Sequence, residues 1–481
     1  MLEQIRENLN PAQLEAVTSC QGPVLVIAGA GSGKTRTIVY RLAYLISQDV
    51  DPSSILLLTF TRKASQEMLL RAGNLLGQGI KGITGGTFHS FAYQIIRKYG
   101  FALGFKDQIT ILDRGDAEEI IKQIKESREI GKKDRSFPKK NTVLALFSKM
   151  RNKELDLETV LEKEAVHLLP YADDLDTLAD LYQKFKFEHN LLDYDDLLFY
   201  LEKLLLERED IRDFLSQRQS HIMVDEYQDT NLVQGRIVRL LASQENNIMV
   251  VGDDAQSIYS FRGATVNNIL NFHKDFPDCK IIKLEQNYRS NQSILDLSNQ
   301  ILAGAKVKYD KKLFSQIKQG TKPNIIRPLS DQSQANLVLN QIMELSKQYQ
   351  LADIAVLFRS GFQSYALEVA LNRVGIDFIK YGGQKFTEAA HIKDVLAHLR
   401  LVQNPMDLPA WQRAISLLPG IGPKLCQKLY NSMFQEDRQY LNNTCKKKPE
   451  LNRVLELLTY LRQNENSPFS ILDWIIEYYT P

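Results

Sequence analysis

The sequence predicts an α/β chain built on parallel sheets and interrupted twice by helical blocks. Three observations carry that expectation. The apolar run Val24-Leu25-Val26-Ile27 leads into the turn Ala28-Gly29-Ala30-Gly31-Ser32-Gly33-Lys34-Thr35, which opens a helix-like segment. A second apolar run, Ile222-Met223-Val224, ends in the acidic pair Asp225-Glu226. Around them strand-like and helix-like stretches alternate, as parallel strands joined by covering helices require.

Taken in order, strands are expected at 24–28 and 55–60, with helices at 35–46 and 63–76 behind them. From 88 to 206 the pattern is almost entirely helical with charged faces, and only 109–112 reads as a strand. The sheet resumes at 221–226, 247–253 and 280–285. A second α/β stretch follows, with strands at 324–328, 354–359 and 377–381 and helices near 333–348 and 363–373. After Gly382-Gly383 the pattern is helical to Pro481. No internal repeat or low-complexity tract breaks this organisation.

Composition narrows the class. At 481 residues, with 44% hydrophobic and 25% charged side chains, the chain has the make-up of a globular protein with several cores. A net charge of +2 is nearly neutral, so a polyanion partner has to be sought in local clusters. The four cysteines (Cys20, Cys279, Cys426, Cys445) include no Cys-x-x-Cys pair, which argues against a disulfide framework or structural zinc and fits a reducing cytosol. Met1 opens a charged segment and no apolar run is long enough for a membrane helix, so neither a signal peptide nor a membrane span is expected.

The chemistry begins at residues 28–35. A strand, a glycine-rich turn and Lys-Thr opening a helix form a phosphate-cradling P-loop, in which backbone N–H groups and the helix N-terminus face the phosphates. Lys34 would reach the β- and γ-phosphates and the Thr35 hydroxyl would ligate Mg²⁺. Ala28 stands where the pattern has glycine, and Gly29, Gly31 and Gly33 keep the loop flexible. Asp225 would hold the Mg²⁺ while Glu226 orients and deprotonates the attacking water; an acidic pair after a strand is otherwise a solvated strand end. Gln256, in Gly252-Asp253-Asp254-Ala255-Gln256-Ser257, sits where it can contact the γ-phosphate and report its loss. Tyr259, Phe261 and Arg262 alternate in a way that suits stacking on nucleobases with a phosphate contact, and suits two rings buried in a core equally well. Arg289, in Gln286-Asn287-Tyr288-Arg289-Ser290, has the placement of an arginine finger reaching from a second α/β unit, or of a surface arginine beginning a helix.

With these motifs in sequence, the chain resembles the UvrD/Rep family of superfamily 1 DNA helicases. Further segments support the resemblance: Asn10-Pro11-Ala12-Gln13, Thr59-Phe60-Thr61, Gly86-Thr87-Phe88-His89-Ser90, Leu192-Asp193-Tyr194-Asp195-Asp196-Leu197, Val356-Leu357-Phe358-Arg359-Ser360 and Ile392-Lys393-Asp394. The resemblance implies P-loop, RecA-like parallel-sheet motor domains with two helical insertions. The first motor domain is expected at 1–87 and 207–279, its insertion at 88–206, the N-terminal part of the second at 280–381, and an incomplete second insertion at 382–481. It implies that Gln13 reads the adenine of ATP, Tyr288 stacks on it and Arg36 lies near the ribose. Phe60, with Thr61 and Arg62 beside it, and His89, Tyr259, Phe261, Arg262 and Arg359 would line a single-stranded DNA path. The implied activity is ATP-driven, Mg²⁺-dependent 3′-to-5′ translocation and unwinding at single-strand/duplex junctions. Repair or replication proteins are implied as partners, with a cytoplasmic, nucleoid-associated location.

The chain departs from the family pattern in places. Arg62 replaces asparagine, Phe261 replaces tryptophan, Ala255 replaces an aspartate, and Ala389-Ala390-His391 stand where arginine and glutamate are usual. Leu418-Pro419-Gly420-Ile421-Gly422-Pro423-Lys424 resembles a helix-hairpin-helix that holds a DNA phosphate, and is also compatible with a plain helix–helix turn. Lys132-Lys133, Lys139-Lys140 and Lys446-Lys447-Lys448 suit duplex contact or a solvated face. The family's Thr-x-His-x-x-Lys-Gly-Leu-Glu pattern and later arginine helix are not found, so the chain is expected to be a fragment ending inside the second insertion. Two functional outcomes follow: a DNA-stimulated motor, or a module that binds ATP and DNA without productive unwinding.

Overall fold

A computed structural model describes the chain except residues 1, 78, 107, 133, 135, 243, 318–319, 382–389, 435–437, 465–466 and 480–481. Gly382-Gly383, Lys133 and Ala389 lie outside the described residues. The chain divides into two compact units, Met1–Thr321 and Lys322–Pro481.

The first unit is organised by one parallel sheet. Its strands are β1 (Val24–Ala28), β2 (Ile55–Thr59) and β3 (Thr84–Thr87), joined later in the chain by β6 (His221–Val224), β7 (Ile248–Gly252) and β8 (Lys280–Leu284). The spatial order is β3-β2-β6-β7-β1-β8. Both β1 and β2 are buried along their whole length, which is why they read as unbroken apolar runs rather than alternating ones. One face of the sheet carries Leu25, Ile27, Leu56, Leu58, Ile222 and Val224 into a core with Ile237 and Leu241. The other face carries Val24, Val26, Leu57 and Met223 into a core with Ile38 and Leu42 of the helix Lys34–Ser47.

Several boundaries differ from expectation for identifiable reasons. The second strand stops at Thr59, and Phe60 turns out into solvent. Strand β3 was not expected because Thr84-Gly85-Gly86-Thr87 has no apolar pattern; as the edge strand it needs only its ladder to β2. Strand β8 pairs with β1, so the sheet resumes at 280 as expected, within the segment that the resemblance gives to a second motor domain.

The helical block expected at 88–206 divides in two. The helices Phe88–Tyr99 and Tyr194–Glu207 pack Phe91, Ile95, Leu201 and Leu204 into the core of the main sheet. A separate core runs from Leu112 to Leu191 and belongs to the insertion proper. Between them β4 (Thr110–Ile111) pairs with β5 (Leu191–Leu192) as a two-stranded neck. The sequence pattern had offered only the first of these strands. A further short ladder joins β9 (Gln286–Asn287) to β10 (Phe314–Ser315).

In the second unit the helices Asp331–Leu345 and Tyr365–Arg373 share a small core of Ala335, Ile342, Leu367 and Leu371. The strands expected at 324–328, 354–359 and 377–381 are corrected: among the described residues none joins a ladder. Their apolar composition favours sheet, but Ile325, Leu357 and Ile379 are exposed and their backbones have no strand neighbour. From Ala390–Gln403 to Pro468–Tyr478 the described chain is helical, as expected.

Candidate nucleotide site and nucleic-acid face

The site is built at the carboxyl ends of β1, β6 and β7, where ligands bind in open parallel sheets. Ala28 is the last residue of β1, buried and paired with Leu284. It occupies extended sheet, so glycine is not needed there. The turn that follows does need it: Gly31 has φ +74° and Gly33 φ +89°. The helix Lys34–Ser47 starts on Gly33 with no side-chain cap, so its first N–H groups remain free of a side-chain acceptor and suited to an anion. Thr35 follows Lys34 in its first turn, half-buried.

Gln13 is buried and donates through Nε2 to the carbonyl of Ser32 at 3.0 Å. Its helix, Pro11–Thr18, is capped by Asn10, whose Nδ2 donates to the Tyr288 hydroxyl at 2.9 Å. Asn10 thereby brings Gln13 and Tyr288 to one side of the loop. Tyr288 also donates its backbone N–H to the Gly31 carbonyl at 2.9 Å. Asn287, buried, donates to the Ala30 carbonyl and accepts from the N–H groups of Arg289 and Ser290 at 2.8 and 2.7 Å. Arg289, expected to reach over from a second unit, lies in the same compact unit as the P-loop. A Cβ on Gly31 would meet the Arg289 Cβ at 2.8 Å. Arg36 is turned away to the Asn8 carbonyl at 2.6 Å.

Opposite the loop, Asp225 is 7% exposed, its backbone N–H bonded to the Leu58 carbonyl, and its Oδ1 has no hydrogen-bond partner. Burial, reinforced by the Glu226 charge, pushes its carboxyl up to about 7 against the partial relief of Lys34. An orphaned, desolvated carboxylate oxygen beside a P-loop is the donor a divalent cation neutralises, so Asp225 and the Thr35 hydroxyl fit Mg²⁺. Among the described residues no cluster of three acidic, His or Cys side chains could hold a metal alone. A P-loop site requires none, because phosphates and water complete the shell.

Glu226 takes the left-handed conformation, φ +52° and ψ +45°, which a non-glycine residue adopts at a cost and which functional sites often retain. Its Oε2 accepts from Lys34 Nζ at 2.9 Å and from Gln228 Nε2 at 2.8 Å. Gln228 in turn accepts the Asp253 N–H at 3.0 Å. Gln256 donates to Asp253 Oδ2 at 2.6 Å. Asn10, Gln228 and Asn287 were not singled out by sequence reasoning, although all three lie inside its motifs. Their signal was a polar residue one or two positions from a named one, which does not separate contact from filler.

A row of rings lies on the same unit. The centroids of Phe60 and Tyr259 are 5.0 Å apart and those of Tyr259 and Phe261 5.9 Å, with the Arg262 guanidinium over both latter rings at 5.4 and 5.6 Å. Phe60 and Phe261 are exposed, so these rings are not a core. Thr61 caps the helix Arg62–Leu76 by accepting the Ala64 N–H, leaving Arg62 exposed at its start. His89 sits beside the exposed Tyr194 with centroids 5.7 Å apart, and burial lowers its imidazole to about 4. Tyr194 was not among the expected contacts. Arg359 is exposed in the second unit. Leu418–Lys424 connects the helices Leu408–Ser416 and Pro423–Phe434, with Gly420 at φ +69°.

Comparison with known proteins gives a consistent picture. A family model described as the UvrD/REP helicase N-terminal domain matches residues 9–277, and one described as the UvrD-like helicase C-terminal domain matches 282–468. The ATP-dependent DNA helicase PcrA of Staphylococcus aureus is 35% identical over 441 residues, covering 91% of this chain and 59% of that protein. PcrA of Staphylococcus epidermidis is 36% identical over 436 residues, covering 90% and 59%. The chain thus spans about three-fifths of the length of the curated relatives it matches.

Proposed function

Because this chain belongs to the UvrD/Rep family of helicases, we propose that it is an ATP-dependent DNA helicase that moves 3′-to-5′ on single-stranded DNA and opens duplex at junctions. The observation that carries this is the Lys34–Glu226 contact beside the orphaned Asp225, on the unit that also presents the Phe60–Tyr259–Phe261 row. In this scheme the P-loop backbone and Lys34 bind the ATP phosphates, and Gln13 and Tyr288 hold the base. Glu226 orients the attacking water and takes its proton. Gln256 and Arg289 contact the γ-phosphate, and the exposed rings stack on bases while Arg262 meets a phosphate. Mg²⁺, held by Thr35 and Asp225, would supply charge neutralisation at the phosphate oxygens.

The residue roles, the four-part domain division, the direction of travel, work in repair or replication restart, and a cytoplasmic, nucleoid-associated location are parts of the same proposal. No helix among the described residues is long and apolar enough to cross a membrane. A second outcome, ATP and DNA binding without productive unwinding, is favoured by one observation: the segments at 324–328, 354–359 and 377–381 have no sheet among the described residues. Hydrolysis measured with and without single-stranded DNA separates the two, and strand displacement from substrates with 3′ or 5′ tails reads the polarity. Hydrolysis unmoved by DNA overturns the motor.

A further inference from the structure

The segment between the helix Gln292–Ala303 and β10 returns to the nucleotide site as a strap. Tyr309 donates its hydroxyl to the carbonyls of Ile269 and Leu270 at 3.2 and 3.3 Å, and its N–H to Asp254 Oδ2 at 3.2 Å. Leu313 closes over the P-loop, where a Cβ on Gly29 would meet its Cδ2 at 2.5 Å. Asn299 holds Leu313 by its N–H and carbonyl, at 3.1 and 2.8 Å. Between these two anchors Lys311 inserts its ammonium among the carboxylates of Asp253 and Asp254, and all three side chains are only 4% exposed.

We propose that Lys311 is a positioning residue of the nucleotide site: by clamping Asp253 it fixes the carboxylate that holds Gln256, so γ-phosphate sensing depends on the strap. The polar connections are continuous. Lys311 bonds Asp253 Oδ1, Asp253 Oδ2 accepts from Gln256, and the Asp253 N–H is held by Gln228, whose Nε2 donates to Glu226. Two buried carboxylates side by side repel, and without the ammonium one of them has to rotate away or take up a proton. Where Asp253 is the one that rotates or is protonated, its Oδ2 becomes a displaced or weaker acceptor and the Gln256 carboxamide loses its fixed position. Lys311 lies in the part matched by the C-terminal family model, whereas its partners lie in the part matched by the N-terminal one. The clamp therefore joins the two halves of the family pattern at the sensor.

This inference rests on the proposed nucleotide site but not on DNA-coupled turnover, and its test needs neither DNA nor hydrolysis. Binding of a fluorescent non-hydrolysable ATP analogue is compared with that of fluorescent ADP in the full chain. Lys311→Met should lower the preference for the triphosphate about tenfold. Lys311→Arg, which keeps the charge, should retain most of it. In a Gln256→Ala background Lys311→Met should change nothing further, because the sensor it positions is gone. A purely structural salt bridge would instead weaken both nucleotides alike, and equally in both backgrounds. Should Lys311→Met fail to fold by circular dichroism, Lys311→Gln, which keeps volume and a donor, must meet the same criteria. A preference kept within about twofold, an additive double variant, or a wild-type protein without any triphosphate preference overturns the proposal.

Discussion

Lys34 and Glu226, separated by 192 positions in sequence, meet in a 2.9 Å ion pair across the P-loop. The cation suited to the phosphates is held by the carboxylate suited to the water. On the proposed scheme, nucleotide entry would exchange one partner of Lys34 for another, and the exchange would release Glu226 to orient water.

Glu226→Gln should consequently abolish hydrolysis while tightening a non-hydrolysable ATP analogue. Glu226 is about one-third exposed, so the pair it forms with Lys34 contributes only about 0.5–1 kcal/mol. That corresponds to a gain of about two- to fivefold in affinity. Lys34→Ala should abolish hydrolysis and weaken the analogue. Titration of the analogue reads both variants, and an unchanged or weakened affinity in Glu226→Gln would mean that the pair does not compete with nucleotide.

Asp225 gives a pH-dependent signature. Its folded-state carboxyl is raised to about 7 from an ordinary 3.8. The stability it contributes is therefore complete below about pH 4 and is lost as pH rises through about 7. Asp225→Asn should gain stability over wild type as pH rises from about 4 to 8, by about 1–3 kcal/mol, and the two should lie closest at about pH 4 and below. Binding of Mg²⁺ with nucleotide at pH 6.5 should expel a proton from wild type but not from the variant. Calorimetry in buffers of different ionisation enthalpy reads this, and a binding heat independent of buffer would refute it.

The sequence made this much of the site legible because its parts are local. A strand, a turn that needs positive φ at Gly31 and Gly33, and a helix start occupy consecutive residues, and Asp225-Glu226 ends a run that only a buried strand explains. What was not legible depended on partners far away. Thr84–Thr87 is a strand only because β2 lies beside it. Conversely, the segments around Ile325, Leu357 and Ile379 have the composition of strands and no neighbour to pair with. Asn287, which staples the P-loop from 257 positions away, has no periodicity that could announce it.

Two glycines separate backbone strain from loss of site geometry. At Gly33, φ is +89° and a Cβ would stand 2.6 Å from Gln13 Nε2. At Gly77, φ is +66° and the added carbon would meet nothing within 4 Å. Both alanine variants pay about 1 kcal/mol of left-handed strain. Only Gly33→Ala should also displace Gln13 and lower analogue affinity, by about tenfold or more. Equal melting shifts with equal nucleotide affinities would show that the Gln13 contact carries no function.

The exposed rings make the last prediction. If Phe261 stacks on a base, Phe261→Ala should cost about 1–3 kcal/mol in binding to single-stranded DNA without moving the salt dependence. Arg262→Gln should do the reverse at the backbone, lowering affinity and reducing the slope of log K against log salt by about 0.7. His89 adds a check on pH. Burial holds its imidazole well below its ordinary value, at about 4, so it is neutral above pH 5.5 and cannot act as a phosphate cation. Removing it by His89→Gln should leave the salt slope unchanged at pH 6 and at pH 8. A slope that falls at pH 6 alone would place a charged His89 on the DNA, contrary to its burial beside Tyr194.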